Sequence, residues 1–284
     1  NGINKWIQDP FMVLEESHFE HPDDWQPLLL EPWTFGGLGN RHVAELVSNY
    51  RDYHIQSSEI ALEGGNVIPT EHGVLVGKAT LQKSYEEALR RGILKKDETL
   101  GEYEAKFKEK LGRHVSDSRI HVIGTQELWE ESPFQDLDGA WYEHYPKEAK
   151  PILSYQPLFH LDLFITPGPV VNEKQIIFLA DLEDNLIIRE ASYFSYSIQH
   201  SEVGQLESRF ISELRKQLKE VAWQLEEMDF SVKFMPLGLM IHHDKIVPLS
   251  YCNAMVECTD TLKRIYLPEY RINPDQLFPN MGVV

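Results

Sequence analysis

Hydrophobic residues recur at two periods along this chain, and the alternation between them predicts a mixed α/β fold. Leu206, Phe210, Leu214, Leu218, Val221, Leu225 and Met228 fall three and four positions apart, which lines them along one face of a long amphipathic helix from Leu206 to Met228. Tyr85 to Arg91 reads as a shorter helix. Lys95 to His114 is dense in Lys and Glu, with apolar residues three to four apart, and reads as a solvated surface helix interrupted at Gly101. Short apolar runs bounded by turn residues read as strands. These are Val74 to Gly77 after the His72-Gly73 turn, Phe159 to Pro169, Gln175 to Ala180, Phe230 to Leu239, His243 to Val247, Asn253 to Glu257 and Arg264 to Leu267. Phe159 to Pro169 and Gln175 to Ala180 form a hairpin in this reading, with Pro167-Gly168-Pro169 at its turn. Residues 1–70, broken repeatedly by Pro and Gly, read as strands joined by ordered loops. No Pro/Ser-rich linker interrupts the alternation, so residues 1–284 read as one domain.

Composition narrows the class. The 284 residues are 42% hydrophobic and 25% charged, ordinary usage for a folded chain that buries a core. The longest apolar runs, such as Ile176 to Ala180, are far shorter than the roughly 20 residues a bilayer crossing needs. Forty-five acidic against 27 basic residues give a formal charge of −18, a field that repels nucleic acid and anionic lipid and attracts a cationic ligand. The only cysteines are Cys252 and Cys258, too few for a disulfide framework. With no basic-then-apolar leader pattern in Asn1 to Asp9, the expectation is a cytoplasmic, reducing setting. A homo-oligomer is compatible with the sequence but not indicated by it.

Three segments carry chemistry. In the strand-like stretch Phe159 to Ile165, His160 and Asp162 are two apart and project to the same face. Two ionisable groups together on an apolar strand are costly to bury unless paired or used, so the pair is either functional or a satisfied structural contact. Glu63-Gly64-Gly65-Asn66 follows Ile60-Ala61-Leu62 and precedes Val67-Ile68. Its glycines permit positive φ and close approach of backbone to a ligand, or mark a bulge or turn. Trp6-Ile7-Gln8-Asp9-Pro10 sets a carboxylate beside a large aromatic, and Asp9 before Pro10 is also a common turn arrangement.

Taken in order, these segments resemble the pentein, or guanidino-group-modifying, superfamily of agmatine, arginine and peptidylarginine deiminases. Trp6-Ile7-Gln8-Asp9 is similar to the Trp-x-x-Asp element, Leu62 to Asn66 to the Glu-Gly-Gly element, and Phe159 to Asp162 to the His-x-Asp element. Ser250-Tyr251-Cys252-Asn253 resembles a Ser-x-x-Asn element, and Tyr266 to Tyr270 a Pro-x-Tyr element. The resemblance implies a five-bladed α/β propeller of ββαβ units, with further elements before Trp6 and after Val284. It implies hydrolysis of a guanidino C–N bond in arginine, agmatine or peptidyl-arginine. A planar, forked cation suits two carboxylates, here Asp9 and Asp162, accepting paired hydrogen bonds. His160 is then the general acid and base, and Glu63 its partner. Trp6, Gly64, Gly65 and Asn66 complete the substrate site, with no cofactor and no metal. The partner is a cationic guanidino molecule or an arginine-containing peptide.

The implied intermediate is a thiouronium on a cysteine thiolate. The family places that cysteine in a Gly-rich segment beyond the Pro-x-Tyr element, and this chain has none there. Cys252 and Cys258 precede the element and read as core-filling residues. One alternative is therefore a catalytically silent pentein that binds without turnover. Another is a non-haem iron oxygenase, with His160 and Asp162 joined by His242 or His243 as ligands.

Overall fold

A computed structural model of the chain describes residues 12–14, 28–31, 47–49, 53–62, 64–115, 119–125, 156–158, 160–189, 201–242, 245–252, 255–258 and 263–266. The chain divides into two compact units, Asn1–Ile123 and Gly124–Val284. Both are mixed α/β, as the two hydrophobic periods require.

In the first unit, β1 (Met12–Leu14), β2 (Leu28–Glu31) and β3 (His54–Ser57) form a sheet in that order. β1 is antiparallel to β2, and β2 is parallel to β3. A second sheet, β4 (Val67–Thr70), β5 (Gly73–Gly77) and β6 (Ile120–Ile123), repeats the pattern, antiparallel then parallel. Every residue of β5 is buried, which is why Val74 to Val76 is an unbroken apolar run and not an alternation. A parallel neighbour demands a crossover, supplied by α1 (Lys78–Arg90) and α2 (Leu100–Gly112). Tyr103, Phe107 and Leu111, one turn apart on α2, join Leu30, Ile60, Val76 and Leu81 in the core.

The reading of Lys95 to His114 needs two corrections. The helix begins at Leu100 because Thr99 and Glu102 form a capping box. Thr99 Oγ1 accepts from the Glu102 amide at 3.3 Å, and Glu102 Oε2 accepts from the Thr99 amide at 2.7 Å. Gly101 lies in the first turn and interrupts nothing. Nor is the helix merely a solvated face, since its aromatic stripe is buried.

The second unit contains β7 (Ile165–Val171), β8 (Lys174–Arg189), α3 (Ser201–Glu227), β9 (Ser231–His242) and β10 (Lys245–Ser250). Its sheet has the order β10-β9-β8-β7, with β8 parallel to β9 and the other pairs antiparallel. β11 (Met255–Cys258) and β12 (Lys263–Tyr266) form a separate antiparallel pair. On α3, Leu214, Leu218, Val221, Ala222 and Leu225 are buried, the face that the three-and-four spacing predicts. Gln224 on the same helix clamps the Gly124 backbone, donating to its carbonyl at 2.6 Å and accepting from its amide at 3.2 Å.

The β7–β8 hairpin turns at Asn172 and Glu173, whose φ values of 51° and 68° are those a two-residue hairpin loop uses. Pro167-Gly168-Pro169 is not the turn. It lies inside β7, where the register shifts between Pro167 and Val170, because prolines that cannot donate to a ladder are tolerated at a bulge on an edge strand. Thus β4-β5-α1-α2-β6 and β7-β8-α3-β9 are two ββαβ units of the same pairing, and β1-β2-β3 pairs alike. Among the described residues all the sheets are open and none closes on itself.

Two glycines should respond oppositely to alanine. Gly73 has φ +129°, and a Cβ there would lie 2.1 Å from the Arg119 carbonyl oxygen. Gly73→Ala is expected to cost about 2–3 kcal/mol in denaturant midpoints at unchanged slope, whereas Gly101→Ala, with open space at its Cβ, should gain about 0.5–1 kcal/mol.

Glu87, with its side chain 4% exposed, holds Arg90 Nη2 and Arg91 Nε at 2.5 Å each. The Arg90 hydrogen bond leads in holding its carboxyl below the ordinary range, against burial and with help from Arg91. A depressed folded pKa gives stability that is present above the ordinary carboxylate range and lost as pH falls through the folded value. The Tm gap between wild type and Glu87→Gln should therefore be open at neutral pH and close on acidification.

Candidate functional site

Leu158, Leu161 and Phe164 are buried side chains three positions apart, all essentially inaccessible at 1%, 0% and 0%. A strand would send Leu161 and Phe164 to opposite faces, whereas a 3-10 turn of three residues per turn superposes them. The chain takes the second solution. Leu161–Leu163 is a 3-10 turn preceded by His160 in an extended conformation, φ −127° and ψ 147°. The amide of Leu163 donates to the His160 carbonyl at 3.3 Å, that of Phe164 to the Leu161 carbonyl at 2.9 Å, and that of Ala180 in β8 to the Phe164 carbonyl at 2.9 Å.

His160 and Asp162 do come together, although by this turn and not by strand alternation. His160 Nδ1 lies 4.0 Å from Asp162 Oδ1, with side chains 7% and 23% exposed. The imidazole is almost wholly buried and the carboxylate keeps partial access. A partly accessible carboxylate can accept hydrogen bonds from a cation.

Segment 250–252 is laced onto this turn. Ser250, fully buried, donates its hydroxyl to the Leu163 carbonyl and accepts from the Cys252 amide at 3.1 Å. Thr166 Oγ1 in β7 donates to the Cys252 carbonyl. The sequence reading placed Ser250 in a motif but missed this bond. The signal available was slight, a serine ending an apolar strand far along the chain.

In the first unit, Gly64–Asn66 also forms a 3-10 turn, with Gly65 and Asn66 buried. A right-handed 3-10 turn has negative φ, so positive φ is not what Gly65 supplies there; its missing side chain is what fits a buried turn. This turn runs directly into β4, and the His160–Asp162 turn leads into β7. Both therefore occupy the same station, just ahead of the first strand of a ββαβ unit. In sequence, Asp9 precedes Met12 of β1 by the same three positions that separate Asp162 from Ile165 of β7. Trp6, Asp9 and Glu63 themselves lie outside the described residues.

Cys252 is 1% exposed, and burial pushes its thiol up to about 12, with the Ser250 hydrogen bond opposing. It is a core residue, protonated at neutral pH. For the iron reading, no group of three His, Cys, Asp or Glu gathers among the described residues. His243 lies outside them, and the side chain of His242 is not described. No helix there is long and apolar enough to cross a membrane.

No protein-family model and no curated protein matches the chain. Solved structures do. An agmatine deiminase variant from C. jejuni, solved with substrate bound, superposes with a TM-score of 0.52 at 14% identity, over 96% of this chain and 64% of its own. Another structure of the C. jejuni agmatine deiminase gives 0.47 at 12% identity, over 88% and 54%. A protein from Porphyromonas gingivalis assigned as an arginine deiminase gives 0.49 at 14%, over 98% and 68%. The chain thus spans between about half and two thirds of the length of these structures. Its fold is similar to that of the substrate-bound agmatine deiminase structure.

A thiol of such high pKa should resist alkylation. Native protein treated with iodoacetamide at pH 8 is expected to leave the Cys252 peptide unmodified by mass spectrometry, and to label it fully in denaturant.

Proposed function

We propose that this chain recognises a guanidino group and supports hydrolysis of one of its C–N bonds, as a deiminase of arginine, agmatine or peptidyl-arginine. The observation that carries the proposal is the His160–Asp162 pair, 4.0 Å apart at the head of a ββαβ unit, in a chain with a deiminase fold. Asp162 accepts hydrogen bonds from one side of the forked cation, and Asp9 accepts from the other. A thiolate adds to the guanidinium carbon and the C–N bond breaks, the departing amine taking its proton from His160. Water, deprotonated by His160, then cleaves the thiouronium and returns the thiolate. Glu63 pairs with His160 and favours its protonated form. Gly64, Gly65 and Asn66 present backbone to the ligand, and Trp6 walls the site.

The thiolate is not that of Cys252, whose pKa of about 12 leaves it protonated. That observation favours a second reading, recognition without turnover. The two separate on ammonia release: a silent binder takes up agmatine and releases none. The repeated ββαβ pairing supports a five-bladed propeller built as one domain.

In calorimetric titrations with agmatine and with arginine, Asp162→Asn should weaken binding roughly 10- to 100-fold, the loss of charge-assisted hydrogen bonds, with Tm and far-UV circular dichroism unchanged. Equal affinity of the variant and wild type would contradict the proposal.

A further inference from the structure

We infer that Ser250 is a positioning residue for Asp162, acting through the backbone of the turn that carries it. The inference rests on the guanidino-binding reading of that turn. The last carbonyls of a short helical turn have no partner within it, and the Leu163 carbonyl is one of these. It belongs to the residue after Asp162, so fixing it restrains the Leu163 torsions and, through the peptide between the two residues, the backbone that carries the Asp162 side chain. Ser250 comes from the end of β10, distant in sequence, and its hydroxyl donates to this carbonyl. A serine hydroxyl has one proton and two lone pairs. Ser250 Oγ also accepts the Cys252 amide at 3.1 Å, which orients the hydroxyl for its bond to the Leu163 carbonyl. The Thr166 bond to the Cys252 carbonyl fixes the same segment to β7, and the Ala180 amide holds the Phe164 carbonyl at 2.9 Å. The C-terminal end of the turn is therefore held at Phe164 by β8 and at Leu163 by Ser250. Ser250 is buried and stands outside the reacting groups, so its effect on a ligand is transmitted through the geometry of Asp162.

The test compares wild type, Ser250→Ala, Ser250→Thr and Thr99→Ala in the full chain. Thr99→Ala removes a helix cap in the first unit and costs about 1 kcal/mol, which controls for a general loss of stability. Agmatine affinity is measured by calorimetry, and amide exchange at Leu163 and Phe164 by NMR. Ser250→Ala should bind agmatine about tenfold more weakly, the equivalent of one hydrogen bond, and exchange faster at both amides. Ser250→Thr keeps the hydroxyl and should restore both, and Thr99→Ala should change neither. The inference is overturned if Ser250→Ala binds as wild type does, if Thr99→Ala weakens binding equally, or if a stable Ser250→Thr binds as weakly as Ser250→Ala. Should wild type itself not bind agmatine, the guanidino reading fails, and the exchange rates alone decide whether Ser250 orders the turn.

Discussion

Placing a carboxylate beside an imidazole inside an apolar frame costs desolvation free energy, and the surrounding structure must recover it. His160 is nearly sealed and Asp162 partly so, and Leu161 and Phe164 beside them are completely buried. The apolar residues anchor the turn to the core, and the Ala180 amide and the Ser250 hydroxyl donate to its terminal carbonyls. What remains is a carboxylate with one open side. Such a group can accept from a cationic hydrogen-bond donor, and a chain of net charge −18 raises the local concentration of cations.

The repeat explains how one chain can carry several such turns at equivalent positions. A strand hairpin followed by a crossover to a parallel neighbour puts the start of the first strand at a fixed station in each unit. The Gly64–Asn66 and Leu161–Leu163 turns both stand there, and the sequence position of Asp9 relative to β1 corresponds. Short 3-10 turns suit this station because they reverse the chain tightly and leave their terminal backbone groups to be bonded from outside the turn before the ladder begins.

Much of this was legible in the sequence because it follows from periodicity. The α3 stripe at Leu214, Leu218, Val221 and Leu225 and the buried run Val74 to Val76 were readable from spacing alone. Other features were decided by competing local chemistry. Asn172 and Glu173 accept positive φ and took the hairpin turn, leaving the more conspicuous Pro167-Gly168-Pro169 as a bulge. The Thr99 and Glu102 capping box fixed the start of α2, so Gly101 had no breaking to do. At the site, the residue pair was legible and its conformation was not. An alternating pattern and a three-residue pattern coincide at His160 and Asp162, and only the joint burial of Leu158, Leu161 and Phe164 separates them. The Ser250 contact depends on tertiary closure over some ninety residues and left no local signature.

The most direct measurement is a crystal structure of the chain grown with agmatine. The account predicts a planar guanidinium within hydrogen-bonding distance of the Asp162 carboxylate and alongside the His160 ring. Agmatine bound elsewhere, or Asp162 turned away and occupied by the protein's own groups, would contradict it.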